Sequence, residues 1–207
     1  LESHHVKNSL GELISKNKLK QLRIAETEKY AHVTYFFNGG IEDSFDGEDR
    51  VLIPSPRVET YDHKPEMAAF EVTAELVDRI GKKNYDFIVT NFANTDMVGH
   101  TGNLLATIRA VETLDKCLGN LYNSCKKNGY TLVVTSDHGN ADMMLDSNRN
   151  TPCTTHSLNP VPFIICGPYN FISRKGRLSD IAPTILKLLG ITKPNDMNGR
   201  PLIKWDL

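Results

Sequence analysis

The sequence predicts an α/β domain with a mainly parallel sheet flanked by helices, and three features carry that reading. Short apolar and β-branched runs without helical period, at 85–90, 131–135 and 161–166, have the length and composition of strands buried on both faces. Segments with apolar residues three and four apart, at 9–24, 67–80 and 103–125, read as amphipathic helices. Strands and helices alternate along the chain at the spacing of βα units, with no internal repeat.

Taken in order, 9–24 places Leu10, Leu13, Ile14, Leu19, Leu22 and Ile24 among lysines, a helix expected to pack on the sheet. Residues 32–37 are strand-like and end sharply at Asn38-Gly39-Gly40. Glu28 and Lys29 precede them, and a Glu-Lys neighbour pair is ordinarily a solvated ion pair worth under about 1 kcal/mol. IEDSFDGED, 41–49, reads as a surface loop that lacks the spacing and closing glutamate of a calcium loop. VLIPSPRVETYDHKPEM, 51–67, mixes a short strand with three prolines and is expected to lie extended over the surface, with His63 reading as an ordinary surface residue. Pro65 and Glu66 open the helix over 67–80, which Gly81 ends. The helix from Asn103 stops near Asn128-Gly129, residues 143–153 carry no pattern, and Ser179 or Asp180 caps a last helix, IAPTILKLLG. The tail is a turn followed by a short extended end.

At 207 residues, 40% hydrophobic and 24% charged, the chain is sized for one domain. A formal net charge of -1 favours neither nucleic acid nor a membrane surface as partner. Cys117, Cys125, Cys153 and Cys166 form no CxxC pair, which points to reduced thiols and a cytoplasmic protein. No apolar run reaches the roughly 18 residues of a membrane span. The opening LESHHVKNS suggests a piece of something longer.

The chemistry gathers at strand ends. The run 131–135 leads straight into Ser136, Asp137, His138, Gly139 and Asn140, and Gly139 is expected to permit the turn that lets Asp137 and His138 converge. An isolated Asp-His-Gly is usually a polar turn, but Asp96 and His100 follow another strand run and His156 precedes a third. Carboxylate and imidazole donors of this kind suit divalent zinc or manganese. Asp96 and His100, four apart on a helical turn, share a face; with His156 they make a three-ligand site with an open position. Asp137 and His138 would serve a second ion, a site short of ligands, beside which Ser136 points away. Two neighbouring divalent ions can clamp the attacking and leaving oxygens of a phosphoryl or sulfuryl transfer.

The stretches ETEKYAHVTYFFNGG, TDMVGHTGN, TSDHGNADMM and TTHSLNPVPFI, in that order, closely resemble the cofactor-independent phosphoglycerate mutase family of the alkaline phosphatase superfamily. The resemblance covers nearly the whole chain. It implies an alkaline phosphatase-like fold and an isomerase of glycolysis that interconverts 3-phosphoglycerate and 2-phosphoglycerate through a phosphoserine. It further implies two divalent ions, manganese first, with zinc, cobalt or magnesium as alternatives. Asp96, His100 and His156 match the ligands of one ion, Asp137 and His138 ligands of the other, and Lys29 the lysine that neutralises the transferring phosphoryl group. Family members are about two and a half times this length. Residues 1–207 are therefore expected to be the C-terminal portion of the phosphatase-type domain, without the nucleophile-bearing N-terminal segment or the inserted substrate domain, and inactive alone. The complete enzyme would be monomeric. A phosphopentomutase, phosphodiesterase or sulfatase of the same superfamily would keep the same ligands, and a non-catalytic metal-binding module is the remaining alternative.

Overall fold

A computed structural model describes residues 6–146, 151–167, 171–173 and 175–205. Its organising strand is β1 (Gln21–Glu26), every residue of which is buried. β2 (Glu48–Ile53) and β3 (Phe87–Asn91) pair with it in parallel, giving the order β2-β1-β3 with Ile24 opposite Val51 and Thr90. The expected helix over 9–24 is thus two elements. α1 (Leu10–Lys16), capped by the Ser9 side chain, ends at Asn17, and Lys18 turns the chain in the left-handed region at φ 59°. Leu19 and Leu22 happen to fit a helical interval, but the alternation within QLRIAE is that of a strand.

The two faces of β1 differ chemically. Leu22 and Ile24 pack with Val72, Leu76, Ile80 and Leu121 of α3 (Ala69–Lys82) and α5 (Leu104–Asn128). On the opposite side α1 and α6 (Ile181–Leu188) bury Leu10, Leu13, Ile14 and Leu186 in another cluster. Helices therefore cover both faces of the sheet.

Arg23, fully buried, carries the polar chemistry of β1. Its Nη2 donates to Gln21 Oε1 at 2.6 Å and Asn38 Oδ1 at 3.5 Å, and its guanidinium lies 4.3 Å over the Phe37 ring. Glu48, at 4.0 Å from Nε, also accepts from Arg50 Nε at 2.6 Å and Asn38 Nδ2 at 2.8 Å. Burial lowers the Arg23 pKa to about 10, with Glu48 opposing the shift. A side chain at Gly11 would collide with this guanidinium.

The stretch 32–37 is not a strand. β1 runs directly into α2 (Thr27–Val33), whose N-cap is Glu26, and the aromatic run beyond it is turn down to Gly40. Aromatic and β-branched residues suggested a strand there, yet β1 already fills the central place in the sheet. α3 begins at Ala69, because Met67 holds a left-handed backbone at φ 46°, and it passes Gly81 to end at Lys83. α5 starts under an Asn103 cap and stops at Gly129, φ 81°.

β4 (Leu132–Thr135) departs from expectation more sharply. It pairs antiparallel with β7 (Phe163–Cys166) and, among the described residues, joins no strand of the parallel sheet. Neither β3 nor β4 has a fully buried residue, so the strand buried on both faces is β1. Within the stretch expected to be irregular, β5 (Leu145–Asp146) and β6 (Thr151–Pro152) pair, with 147–150 outside the described residues. β8 (Phe171–Ser173) pairs with the tail strand β9 (Ile203–Trp205). A 3-10 turn, Leu178–Asp180, precedes α6, and the Asp180 carboxylate accepts from the backbone of Arg177 and Arg200 instead of capping that helix. No helix among the described residues is long and apolar enough to cross a membrane, and all four cysteines are free.

Replacing Arg23 with alanine opens a cavity beside Phe37, leaves Gln21 Oε1 short of a donor and takes a buried positive charge from beside Glu48. The expected loss of stability is about 3 kcal/mol or more by urea titration, and a loss below about 1 kcal/mol would show the network to be dispensable.

Candidate metal centre

Three chain segments deliver the candidate ligands to one rim. β1 ends in α2, which carries Lys29, and its parallel neighbour β3 ends in α4 (Asn94–Gly99), which carries Asp96 and leads to His100. Parallel strands put their carboxyl ends on the same side, where ligand crevices open. His156 stands before β7, and antiparallel pairing sets the start of β7 against the end of β4, Phe163 opposite Thr135. In a parallel arrangement the same residue would lie at the far end of a four-residue strand, about 13 Å away.

Asp96, His100 and His156 each offer a donor atom within 4.8 Å of the others. Asp96 Oδ1 is 3.0 Å from His100 Nε2 and 3.2 Å from His156 Nε2, and the two imidazole nitrogens are 3.1 Å apart. His100 Nδ1 lies 2.7 Å from the Thr154 carbonyl, which only accepts, so Nδ1 carries the proton. In this tautomer Nε2 is the ring nitrogen left to face Asp96 and, on a neutral ring, to offer a lone pair. Lone pairs of a carboxylate and imidazoles converging at these distances are a cation's donor set, so the residues fit a divalent ion.

The other oxygen of Asp96, Oδ2, accepts from the ammonium of Lys29, which is 5% exposed. Burial pushes the Asp96 carboxyl up, but the Lys29 hydrogen bond and charge, the Asn140 amide and His100 outweigh it and hold the group below the usual carboxylate range. The solvated Glu28–Lys29 pair does not form: Glu28 Oε1 accepts from the Tyr61 hydroxyl at 2.6 Å while Lys29 turns inward.

Asp137 and His138 stand beside this group. The His138 ring stacks on His156 at 3.6 Å and 18°, with its Nε2 3.7 Å from Asp137 Oδ2. Among the described residues no third acid, imidazole or thiolate completes a set around that pair. Ser136 donates to the His138 carbonyl at 2.6 Å, which commits its proton. Gly139 is needed for close approach and not for a left-handed turn: a Cβ there would meet the Ser157 hydroxyl and the Asp142 carboxylate.

Sequence reasoning passed over four neighbours. Asn140 and Asp142 sit inside the quoted TSDHGNADMM; an amide side chain does not titrate, and Asp142, though four residues after His138, follows Gly139 in a turn and not a helical run. His32 lies one helical turn beyond Lys29; burial and the Lys29 charge hold its imidazole below the usual range against Asp137 and Asp96. Glu26, 1% exposed, accepts from the Ser55 hydroxyl at 2.9 Å and the Ala68 amide at 3.3 Å while its Oε1 has no partner, and burial raises its pKa.

The chain matches the model of the Metalloenzyme superfamily over residues 1–193 and belongs to that superfamily. Among its relatives are 2,3-bisphosphoglycerate-independent phosphoglycerate mutases. That of Gracilaria tenuistipitata var. liui is 59% identical over 202 residues, covering 96% of this chain and 39% of the relative. That of Wolbachia pipientis wMel is 58% identical over 197 residues, covering 95% and 39%. A crystal structure of Leishmania mexicana phosphoglycerate mutase at low cobalt concentration superposes with a TM-score of 0.87 at 33% identity, over 95% of this chain and 39% of that one. The alkaline phosphatase-like fold expected from the motifs is thereby established, and the chain spans about 40% of the length of the curated relatives it matches. Superfamily membership and the three converging donors together support binding of a divalent metal.

Two outcomes follow from this geometry. Elemental analysis after equilibration with manganese should find metal on the chain that Asp96→Ala removes, since that substitution takes away the oxygen both imidazoles face; equal metal content in the variant would exclude the three-donor site. For Glu26, a raised folded-state pKa favours the protonated form, so folding loses stability as pH climbs from the ordinary glutamate value of 4.5 through the folded one. Glu26→Gln should therefore unfold at higher urea than the parent at pH 7 and match it near pH 4; a constant difference at both pH values would refute the linkage.

Proposed function

We propose that the chain is the metal-binding part of a cofactor-independent phosphoglycerate mutase, interconverting 3-phosphoglycerate and 2-phosphoglycerate through a phosphoserine. In this reading residues 1–207 are the C-terminal portion of a phosphatase-type domain in a longer, monomeric, cytoplasmic protein. The rest of that protein supplies the serine and the domain that holds glycerate, and this chain alone does not turn over. The carrying observation is one carboxylate, Asp96, shared between a buried ammonium and two imidazoles at the carboxyl rim of the sheet. Identity of 59% over 202 residues to a mutase reaches far beyond the ligands, which favours the mutase over the phosphodiesterase, sulfatase and phosphopentomutase readings. The spare edges of β3 and β4, each paired on one side only among the described residues, leave room for a further strand.

Asp96, His100 and His156 would hold one divalent ion and Asp137 and His138 part of the shell of a second, manganese being the first choice. Bound there, such ions polarise phosphoryl oxygens and lower the pKa of a hydroxyl nucleophile. Lys29 sets a fixed positive charge beside the transferring group, held in place by Asp96. The Thr154 carbonyl keeps the His100 proton on Nδ1, so Nε2 stays a donor through the cycle.

Grafted in place of the matching stretch of the Gracilaria mutase, the chain should support metal-dependent formation of 2-phosphoglycerate without added 2,3-bisphosphoglycerate, read through a coupled enolase assay. Lys29→Met in that graft should lower kcat about 100-fold. A folded graft that cleaves an aryl phosphate but never isomerises would overturn the mutase reading, and sustained turnover by the 207-residue chain alone would overturn its incompleteness.

A further inference from the structure

We infer that residues Asn140 to Asp142 form a positioning clamp, in which Asn140 fixes the Asp96 carboxylate and Asp142 fixes the segment that carries His156. The inference rests on the three-donor reading above and adds to it the residues that set its geometry.

The first arm is Asn140, 5% exposed. Its Nδ2 donates to Asp96 Oδ1 at 3.1 Å and reaches the Asp96 carbonyl at 3.4 Å. The reversed amide would set its oxygen against that carboxylate oxygen, so electrostatics decide the orientation. Its Oδ1 is then buried without a partner and lies over Gly99, where any Cβ would collide with the carboxamide. Gly99 does not have a left-handed backbone, so its missing side chain serves this contact. An amide that leaves its own oxygen unsatisfied to reach one carboxylate costs stability, and what it secures is which oxygen faces the imidazoles. Lys29 takes Oδ2, Asn140 orients Oδ1, and the carboxylate cannot rotate.

The second arm is Asp142. Its carboxylate accepts from the Ser157 hydroxyl at 2.8 Å and from Asn159 Nδ2 at 2.6 Å. The Asn159 and Ser157 hydrogen bonds hold it below the usual carboxylate range against burial. Ser157, 6% exposed, also donates its backbone N–H to the Gly139 carbonyl at 2.9 Å. The residue next to His156 is thus anchored through both its side chain and its backbone to the turn that carries His138, which accounts for the stacking of the two rings. One short segment therefore grips α4, 44 residues away in sequence, and the 157–159 segment, 15 to 17 away.

The test is titration of the 207-residue chain with cobalt(II), read by calorimetry and by the visible absorption of the bound ion, alongside far-UV circular dichroism and thermal melting. Asn140→Leu keeps the volume and removes the donor; it should weaken binding about 10- to 100-fold and change the cobalt spectrum with little change in Tm. Asp142→Asn should weaken binding in the same direction, and Asn120→Ala, exposed on α5, should leave it unchanged. If the parent chain binds no cobalt, the three-donor reading fails. If it binds and Asn140→Leu binds within twofold with the same spectrum, the clamp fails while the site stands. A loss of fold in Asn140→Leu and in Asn140→Ser would equally overturn the clamp, since the residue would then serve the fold and not the geometry of the donors.

Discussion

The Asp96 carboxylate is the constraint on which the rest of the rim depends. With a side chain only 14% exposed, it is stable as an anion only where charge and hydrogen bonds replace the water it has lost. Two separated segments make that replacement, Lys29 from α2 and Asn140 from the turn after β4, while His100 from the end of α4 and His156 from the approach to β7 bring ring nitrogens within 3.2 Å of the same carboxylate. Its lowered pKa is the thermodynamic form of the same statement, because the partners outweigh burial.

The sheet explains how such distant residues reach one point. β1 and β3 are parallel neighbours, so Lys29 and Asp96, each just past a strand's carboxyl end, face each other across adjacent strands. His156 comes from the other direction along the chain and needs an antiparallel strand to arrive on the same side. β7 is that strand, and its pairing with β4 also brings His138 under His156. A single reversal of strand direction thus turns two half-sites into one cluster.

Much of this was legible in the residues. The helices α3, α5 and α6 follow from periodicity and turn signals, and Asp96 with His100 follows from a four-residue interval on a helical turn. The central strand was not legible, for a physical reason. Gln21 and Arg23 are polar yet fully buried, made tolerable inside by each other and by groups brought from elsewhere, the Gly11 carbonyl for Gln21 and Asn38, Glu48 and Phe37 for Arg23. A strand whose solvent substitute is tertiary carries no hydrophobic run, and Leu19 and Leu22 offer a helical interval in its place. Conversely, the apolar runs at 85–90 and 131–135 look like the most buried strands but are only partly covered. The donor types were readable at the site, whereas Asn140 and Asp142 were not, since a hydrogen-bonding role depends on contacts across 15 to 44 residues of chain.

The Lys29 ammonium has capacity beyond its bond to Asp96. An ammonium has three protons. Among the described residues Nζ donates to Asp96 alone, so one proton holds the side chain in its buried position and two remain for further acceptors. A phosphoryl group offers several anionic oxygens and can take both. Under the proposed function, the pairing with Asp96 would not compete with recognition of a phosphoryl group but direct it: a lysine tethered at one acceptor has lost most of its rotamer freedom before any anion arrives, and the entropy of ordering its long side chain has been met during folding. The same carboxylate therefore fixes the geometry on both of its sides, through Oδ1 for the two imidazoles and through Oδ2 for the Lys29 ammonium.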